Sequence, residues 1–358
     1  MIRFLIKRLL YGLLVVWGVI TVVFLLFNVL PGDPARMMLG QRADGASIEA
    51  INKDLGRDKP VYQQYLMYLN DLSPLSFHET LNDDSFLYLD TTKYSSYSEL
   101  IHAGSKVLIF KTPYLRRSYQ TKRNVSELLA EAMPGTIVLA STAILFAIIF
   151  GILLGIIAAV RSHSLYDNTS LLLSVMGMSL PSFFSGIIIA WLFGFVWSDY
   201  TGLNMSGGLY TIDPFKGEML DLKNLILPAF TLGIRPLAII TQLTRSSLLD
   251  VLSQDYIRTA RAKGLSFYKV VTKHALKNAM NPVITAVSGW FASLMAGAIF
   301  VEWVFSWKGL GKEVVDSLEK YDFPVVMGCV LVIALAFVVI NIIVDILYGV
   351  LDPRVRVR

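Results

Sequence analysis

Six runs of mostly apolar residues, each at least 22 long, leave this chain few ways to fold. They lie at Leu9–Leu30, Thr136–Val160, Thr169–Trp197, Leu225–Leu249, Val283–Phe305 and Pro324–Leu351. A helix needs about 20 apolar residues to cross roughly 30 Å of hydrocarbon. Inside a bilayer, only a helix or a closed barrel satisfies every backbone N–H and C=O without water. The reading is an all-α polytopic membrane protein with six transmembrane helices. Composition agrees, because only 16% of the 358 residues are charged, well below the roughly 25% of an average soluble domain. A lone cysteine, Cys329, excludes a disulfide framework or a thiolate metal cluster built from this chain alone.

Orientation follows from the basic residues of the short loops. Arg3, Lys7 and Arg8 precede the first run, Arg161 follows the second, and Arg354, Arg356 and Arg358 end the tail. With the basic loop after the fourth run, all fall on one side. The loops Ser198–Asn224 and Ser306–Phe323 carry lysines, but their Asp and Glu outweigh them. Both termini are therefore predicted to be cytoplasmic. The first run exceeds the apolar core of a signal peptide, about 7–15 residues, and ends in Leu30-Pro31-Gly32-Asp33-Pro34. It reads as a retained anchor.

The expected organisation is an N-terminal tail and first helix (1–30), an external region (31–135), a core of helices two to six (136–351) and a cytoplasmic tail (352–358). Within the external region, 46–72 has helical spacing broken by Gly56 and Pro60. Residues 73–123 are rich in Ser, Asp, Lys and Tyr, with a strand expected at Lys106–Lys111. Either a small external cap or a mobile loop fits that texture. Gly151 and Gly155 suit close helix packing or a pathway lining, and Pro181, with Ser182 and Ser185, interrupts the third run.

The loop 250–281, joining the fourth and fifth runs, holds six Lys/Arg and one His against two Asp. Ser253 can cap a short helix through Asp255 to Lys263, and Gly264 can stop it in a left-handed conformation. Ser266 can then cap an amphipathic second helix whose stripe is Phe267, Val270, Val271, His274 and Ala275. Pro282 is expected to open the return into the membrane. Two readings remain open from the residues alone: a lever gripped by a cytoplasmic partner, or a basic surface resting on anionic lipid.

Asp255–Ser266 (DYIRTARAKGLS), followed by KHALKNAMNPVIT, resembles the cytoplasmic loop of permease subunits of binding-protein-dependent ABC importers, in the dipeptide, oligopeptide and nickel group. The general motif has Glu-Ala-Ala and a later Gly, where this chain has Arg258-Thr259-Ala260 and Gly264. Those replacements, and Lys277 where many sugar permeases have Pro, match the peptide branch. Ile6–Pro34, SLPSFFS at 179–185, VFSWKGLG at 304–311, YDFPVV at 321–326 and DILYGVLDPR at 345–354 are similar to the same family. Residues 73–123 depart from it, lacking the usual Gly-Asp-Leu-Gly stretch.

The resemblance implies the type I ABC importer permease fold with an external insertion between helices one and two, in a bacterial or archaeal cytoplasmic membrane. Asp255, Tyr256, Arg258, Thr259, Ala260, Arg261, Ala262, Lys263 and Gly264 would form the coupling helix that docks on an ATPase. Implied partners are a second homologous permease, two ATPase domains or subunits, an external solute-binding protein or lipoprotein, and the lipid bilayer; no nucleic acid is involved. ATP and Mg would sit on the partners, with no cofactor on this chain. The implied activity is translocation of di- or oligopeptides; a stand-alone secondary transporter or channel is the alternative.

Gly309-Leu310-Gly311-Lys312 hints at a phosphate loop, but Ser306 replaces the required first Gly and Glu313 follows the Lys. His78, His102, His163 and His274 lack ligand spacing. Arg235, about ten residues into the fourth run, needs water or a partner. It is a candidate, with Pro181, Ser182 and Ser185, for a pathway lining that attracts a substrate carboxylate; pairing within or between subunits is the other reading.

Overall fold

A computed structural model describes residues 2–28, 45, 49, 52, 58–82, 85–91, 93, 94, 96–213 and 215–351. The Leu30–Pro34 ending, most of 46–59 and the tail 352–358 lie outside them. The described residues divide into two compact units, those within 2–132 and 313–335, and those within 133–312 and 336–351.

The elements in order are α1 (Ile2–Asn28), α2 (Val61–Leu72), β1 (Leu75–Glu79), β2 (Tyr97–Ala103), β3 (Lys106–Lys111), α3 (Val125–Val160), α4 (Leu165–Ser179) and α5 (Ser182–Trp191). A π-helical turn at Leu192–Val196 leads to α6 (Ser198–Thr201), β4 (Tyr210–Asp213), β5 (Gly217–Leu220) and α7 (Lys223–Leu252). Then come α8 (Asp255–Ala262), α9 (Phe267–Lys269), a π-helical turn at Val270–Ala275, α10 (Leu276–Gly297), α11 (Ile299–Val304), α12 (Leu310–Glu319) and α13 (Phe323–Leu351).

Among the described residues, α1, α3, α7 and α13 are long and apolar enough to cross a membrane, and α4 with α5 makes a fifth candidate bent by 108°. The expected crossing at Val283–Phe305 is divided at Ala298 between α10 and α11. Among the described residues five strands accompany the helices, one of them where the sequence predicted it, so the all-α expectation holds in the coarser sense of a mostly helical chain.

In the first unit, β1, β3 and β2 form an antiparallel sheet in that order, with Phe77 opposite Leu108 and Ile101 opposite Leu108 on the other side. β3 is the strand expected at Lys106–Lys111, with Val107 and Ile109 buried beneath Leu89 and Tyr94. Lys111 is buried as well. Its Nζ donates to the Asp71 carbonyl at 2.7 Å, and burial pushes its ammonium down to about 8. Elsewhere in this unit Phe24 of α1 packs on Tyr65 and Tyr68 of α2, with ring centroids 5.1 and 5.8 Å apart. Among the described residues of 73–123 a three-stranded sheet, rather than a featureless loop, is formed.

In the second unit α7 is the hub, packed against α4, α5, α10 and α11. It contains Pro228 and Pro236, each of which removes one i→i−4 bond. Glycines set its distance from α3. A Cβ on Gly151 would meet Ile240 Cγ2 at 2.8 Å, and one on Gly155 would meet Thr244 Cβ at 2.5 Å and the Thr241 carbonyl oxygen at 2.7 Å. Both glycines therefore serve close packing. Gly155→Val is expected to force the helices apart and cost about 1–3 kcal/mol, read as a lower melting temperature of the purified protein. Gly289→Ala, where nothing lies within 4 Å of the added Cβ, is the comparison and should change little.

Candidate coupling surface and helix break

The loop after α7 turns because of Gly264. Its φ is +78°, in the left-handed region that costs a β-carbon-bearing residue about 1–2 kcal/mol. The Gly264 N–H donates to the Arg261 carbonyl at 2.9 Å and the Leu265 N–H to the Ala260 carbonyl at 3.4 Å. This is the paired closure of a Schellman motif, with Leu265 packed in the same apolar cluster as Ala260.

The start of α8 differs from expectation. Gln254 is the N-cap residue, without a side-chain cap bond, and the Ser253 hydroxyl instead donates back to the Asp250 carbonyl at 2.7 Å. Ser266 does precede α9, again without a side-chain cap bond. The second helix is not a separate amphipathic piece, because it runs through a π-helical turn directly into α10. Pro282 lies inside α10; both it and Asn278, whose carbonyl loses its i+4 donor, are exposed, so the defect is tolerated there.

Two residues anchor α8. Ile257 is fully buried and Ala260 nearly so, in a cluster with Leu248 of α7, Ala275, Ala279 of α10 and Ala159 of α3. Tyr256 OH accepts from Asn278 Nδ2 at 2.9 Å. Asp255, Tyr256, Arg258, Thr259, Arg261, Ala262, Lys263 and Gly264 remain exposed. The helix thus offers a polar outer face while its inner face is fastened to three long helices.

The other candidates gather at a break between α4 and α5. A proline disfavours the helical conformation in the residue before it, and Leu180 accordingly is extended, at φ −83° and ψ 134°. Pro181 is the N-cap residue of α5, and Ser185 Oγ donates to the Pro181 carbonyl at 3.3 Å. Arg235, exposed on α7, donates from Nη2 to the Met178 carbonyl at 3.4 Å. That carbonyl is among the last of α4, which lack intrahelical donors. Arg235 and the break therefore belong to one place.

Two buried carboxylates complete the geometry. Asp167 of α4 pairs with both Nε and Nη2 of Arg245 on α7, and also accepts from the His163 N–H at 2.9 Å. Glu302 of α11 is fully buried, its Oε2 accepting from the N–H groups of Gly311 at 2.7 Å and Lys312 at 3.2 Å. A Cβ on Gly309 would lie 2.4 Å from that same Oε2. The loop that hinted at a phosphate site therefore cradles a carboxyl group belonging to its own chain.

The profile described as binding-protein-dependent transport system inner membrane component matches residues 151–357, more than half the chain. The chain belongs to this family. The corresponding N-terminal profile matches residues 1–83 of the permease. It is 37% identical over 377 residues to the di/tripeptide transport system permease protein DppB of Pseudomonas aeruginosa (strain UCBPP-PA14), covering 99% of each chain. The dipeptide transport system permease protein DppB of Escherichia coli K12 is 34% identical over 374 residues, again 99% of each. The glutathione transport system permease protein GsiC of the same strain is 34% identical over 358 residues and the whole of both chains. In fold, the permease is similar to a chain of the inward-facing methionine ABC transporter MetNI, with TM-score 0.50 and 16% identity over 63% of this chain and 97% of that one.

Sequence reasoning singled out Arg235 and passed over Asp167 and Arg245. A signal existed: an acid stands just before the third apolar run and a base in the last turns of the fourth, both on the side expected to face the cytoplasm. Glu302 was hidden by its place within an apolar run.

Proposed function

We propose that this chain is the membrane-spanning permease subunit of an ATP-driven ABC importer, passing di- or oligopeptides across the cytoplasmic membrane by alternating access. The chain is assigned six crossings, with α4–α5 as one and α10–α11 as another, and cytoplasmic termini. Residues 31–135 face outward. A second homologous permease completes the pathway, two ATPase domains or subunits hold ATP and Mg, and an external solute-binding protein or lipoprotein delivers the cargo.

The observation that carries this reading is the fastening of α8. Its exposed face is free for an ATPase groove, while Ile257 and Ala260 tie it to α3, α7 and α10. A displacement of α8 must then move those helices, since a close-packed apolar cluster does not deform continuously. Closure of the ATPases on ATP would pull α8 and open the cavity outward, and hydrolysis would reset it. Peptide cargo rests on the full-length similarity to the di/tripeptide and dipeptide permeases. Reconstituting the chain with a second permease, ATPases and receptor in liposomes tests the assignment. Peptide uptake should require all of them together with ATP, and uptake by this chain alone would overturn it.

Within that pathway Pro181, Ser182, Ser185 and Arg235 are assigned to the cavity wall. Arg235→Gln is expected to weaken uptake of peptides with a free carboxyl by about tenfold, the equivalent of roughly 1.4 kcal/mol, and to spare C-terminally amidated peptides. Equal loss for both would instead assign Arg235 to closing the end of α4 through Met178.

A further inference from the structure

Where α3 ends, the second unit holds an open cavity of about 460 Å³. Ile156, Val160, Val271, Tyr166, Phe267 and Tyr268 are among the residues that line it. Its charge comes from Arg161, whose guanidinium lies 4.7 Å from the centre of the Tyr166 ring. A second guanidinium, of Arg261, lies 5.3 Å from the Phe267 ring. Neither arginine forms an ion pair with a described residue, and no acid lines the cavity.

We propose that this cavity binds one anionic phospholipid, an acyl chain lying against Ile156, Val160 and Val271 and the phosphate meeting Arg161. Three observations choose a lipid over a protein partner. The slot sits where the apolar run of α3 gives way to Arg161, the kind of transition expected where a crossing helix leaves the hydrocarbon. Tyr166 and Tyr268 are the amphipathic ring type that favours the headgroup layer. An apolar lining beside the Arg161 guanidinium matches both halves of a phospholipid. Occupancy would prop the space between α3 and the start of α9, against which the cluster holding α8 is built. The site rests on α3 being a membrane crossing and is independent of which solute is carried.

Native mass spectrometry of the complete transporter, exchanged into nanodiscs with equal phosphatidylglycerol and phosphatidylcholine, tests the assignment. One phosphatidylglycerol per copy should survive detergent washing, in preference to phosphatidylcholine. Arg161→Gln should lower that retention about fivefold, the worth of one arginine at an anionic surface. Val160→Trp, which fills the slot, should abolish retention while keeping both arginines. Because either variant could disturb folding, a photoreactive phosphatidylglycerol is also applied to the unaltered protein; its crosslinks should map to 156–166 and 267–272. Equal retention of both lipids, retention unchanged in both variants, crosslinks elsewhere, or a crosslink from Thr272→Cys to a protein partner would each overturn the site. Loss of ATPase association with the lipid still bound would count against the transport assignment alone.

Discussion

Gly264→Val is expected to leave insertion and assembly largely intact while separating ATP hydrolysis from uptake. No atom lies within 4 Å of a Cβ placed on Gly264, so the variant suffers no collision. Its penalty is conformational: a β-branched residue at φ +78° costs about 2 kcal/mol. The chain can relieve that strain by opening the two hydrogen bonds from Gly264 and Leu265, which frees the end of α8 to swing. If the whole strain falls on docking, the loss is roughly thirtyfold in affinity for the ATPase. The measurement is transport per ATP hydrolysed in proteoliposomes. Gly264→Asn separates the causes, since asparagine visits the left-handed region readily; it should retain most coupling. Normal transport by the valine variant would refute the role of the elbow.

The second large effect is expected at the Asp167–Arg245 pair. Asp167→Asn leaves the Arg245 guanidinium without its counter-charge between α4 and α7. Removing one partner of a buried pair costs about 3–5 kcal/mol in deep interiors. Arg245 keeps a fifth of its side-chain surface exposed, so about 2 kcal/mol is expected here. Thermal unfolding of the purified permease measures it. The double variant Asp167→Asn with Arg245→Gln should recover part of the loss, because no unpaired charge remains. Additive losses would mean that the two side chains act separately.

What was legible in the sequence follows from how local its cause is. Gly264 could be read because a left-handed turn is a property of one residue and its immediate neighbours. The strand at 106–111 could be read from its alternation, with Val107, Ile109 and Lys111 buried on one face. Its partner β1 could not, since Ser76 and His78 occupy the buried positions and their polarity masks the pattern. Ser253 was misassigned because a serine near a helix end can serve either neighbour, and its hydroxyl bonds back into α7 rather than forward into α8. The break at Pro181 was visible as a proline, but its 108° bend was not. Angle depends on packing against α7. The Asp167–Arg245 pair joins residues 78 positions apart, beyond any single-segment pattern.

The two prolines of α7 bear on how a push would travel. Pro236 leaves the Leu232 carbonyl without its usual donor, so the rod is softest there. The ion pair with α4 and the elbow at Gly264 both lie on the C-terminal side of that soft point, whereas Arg235 and the end of α4 sit beside it. A tug on α8 would therefore swing the lower half of α7 like an oar on its rowlock, with the stroke pivoting where Arg235 meets the broken helix.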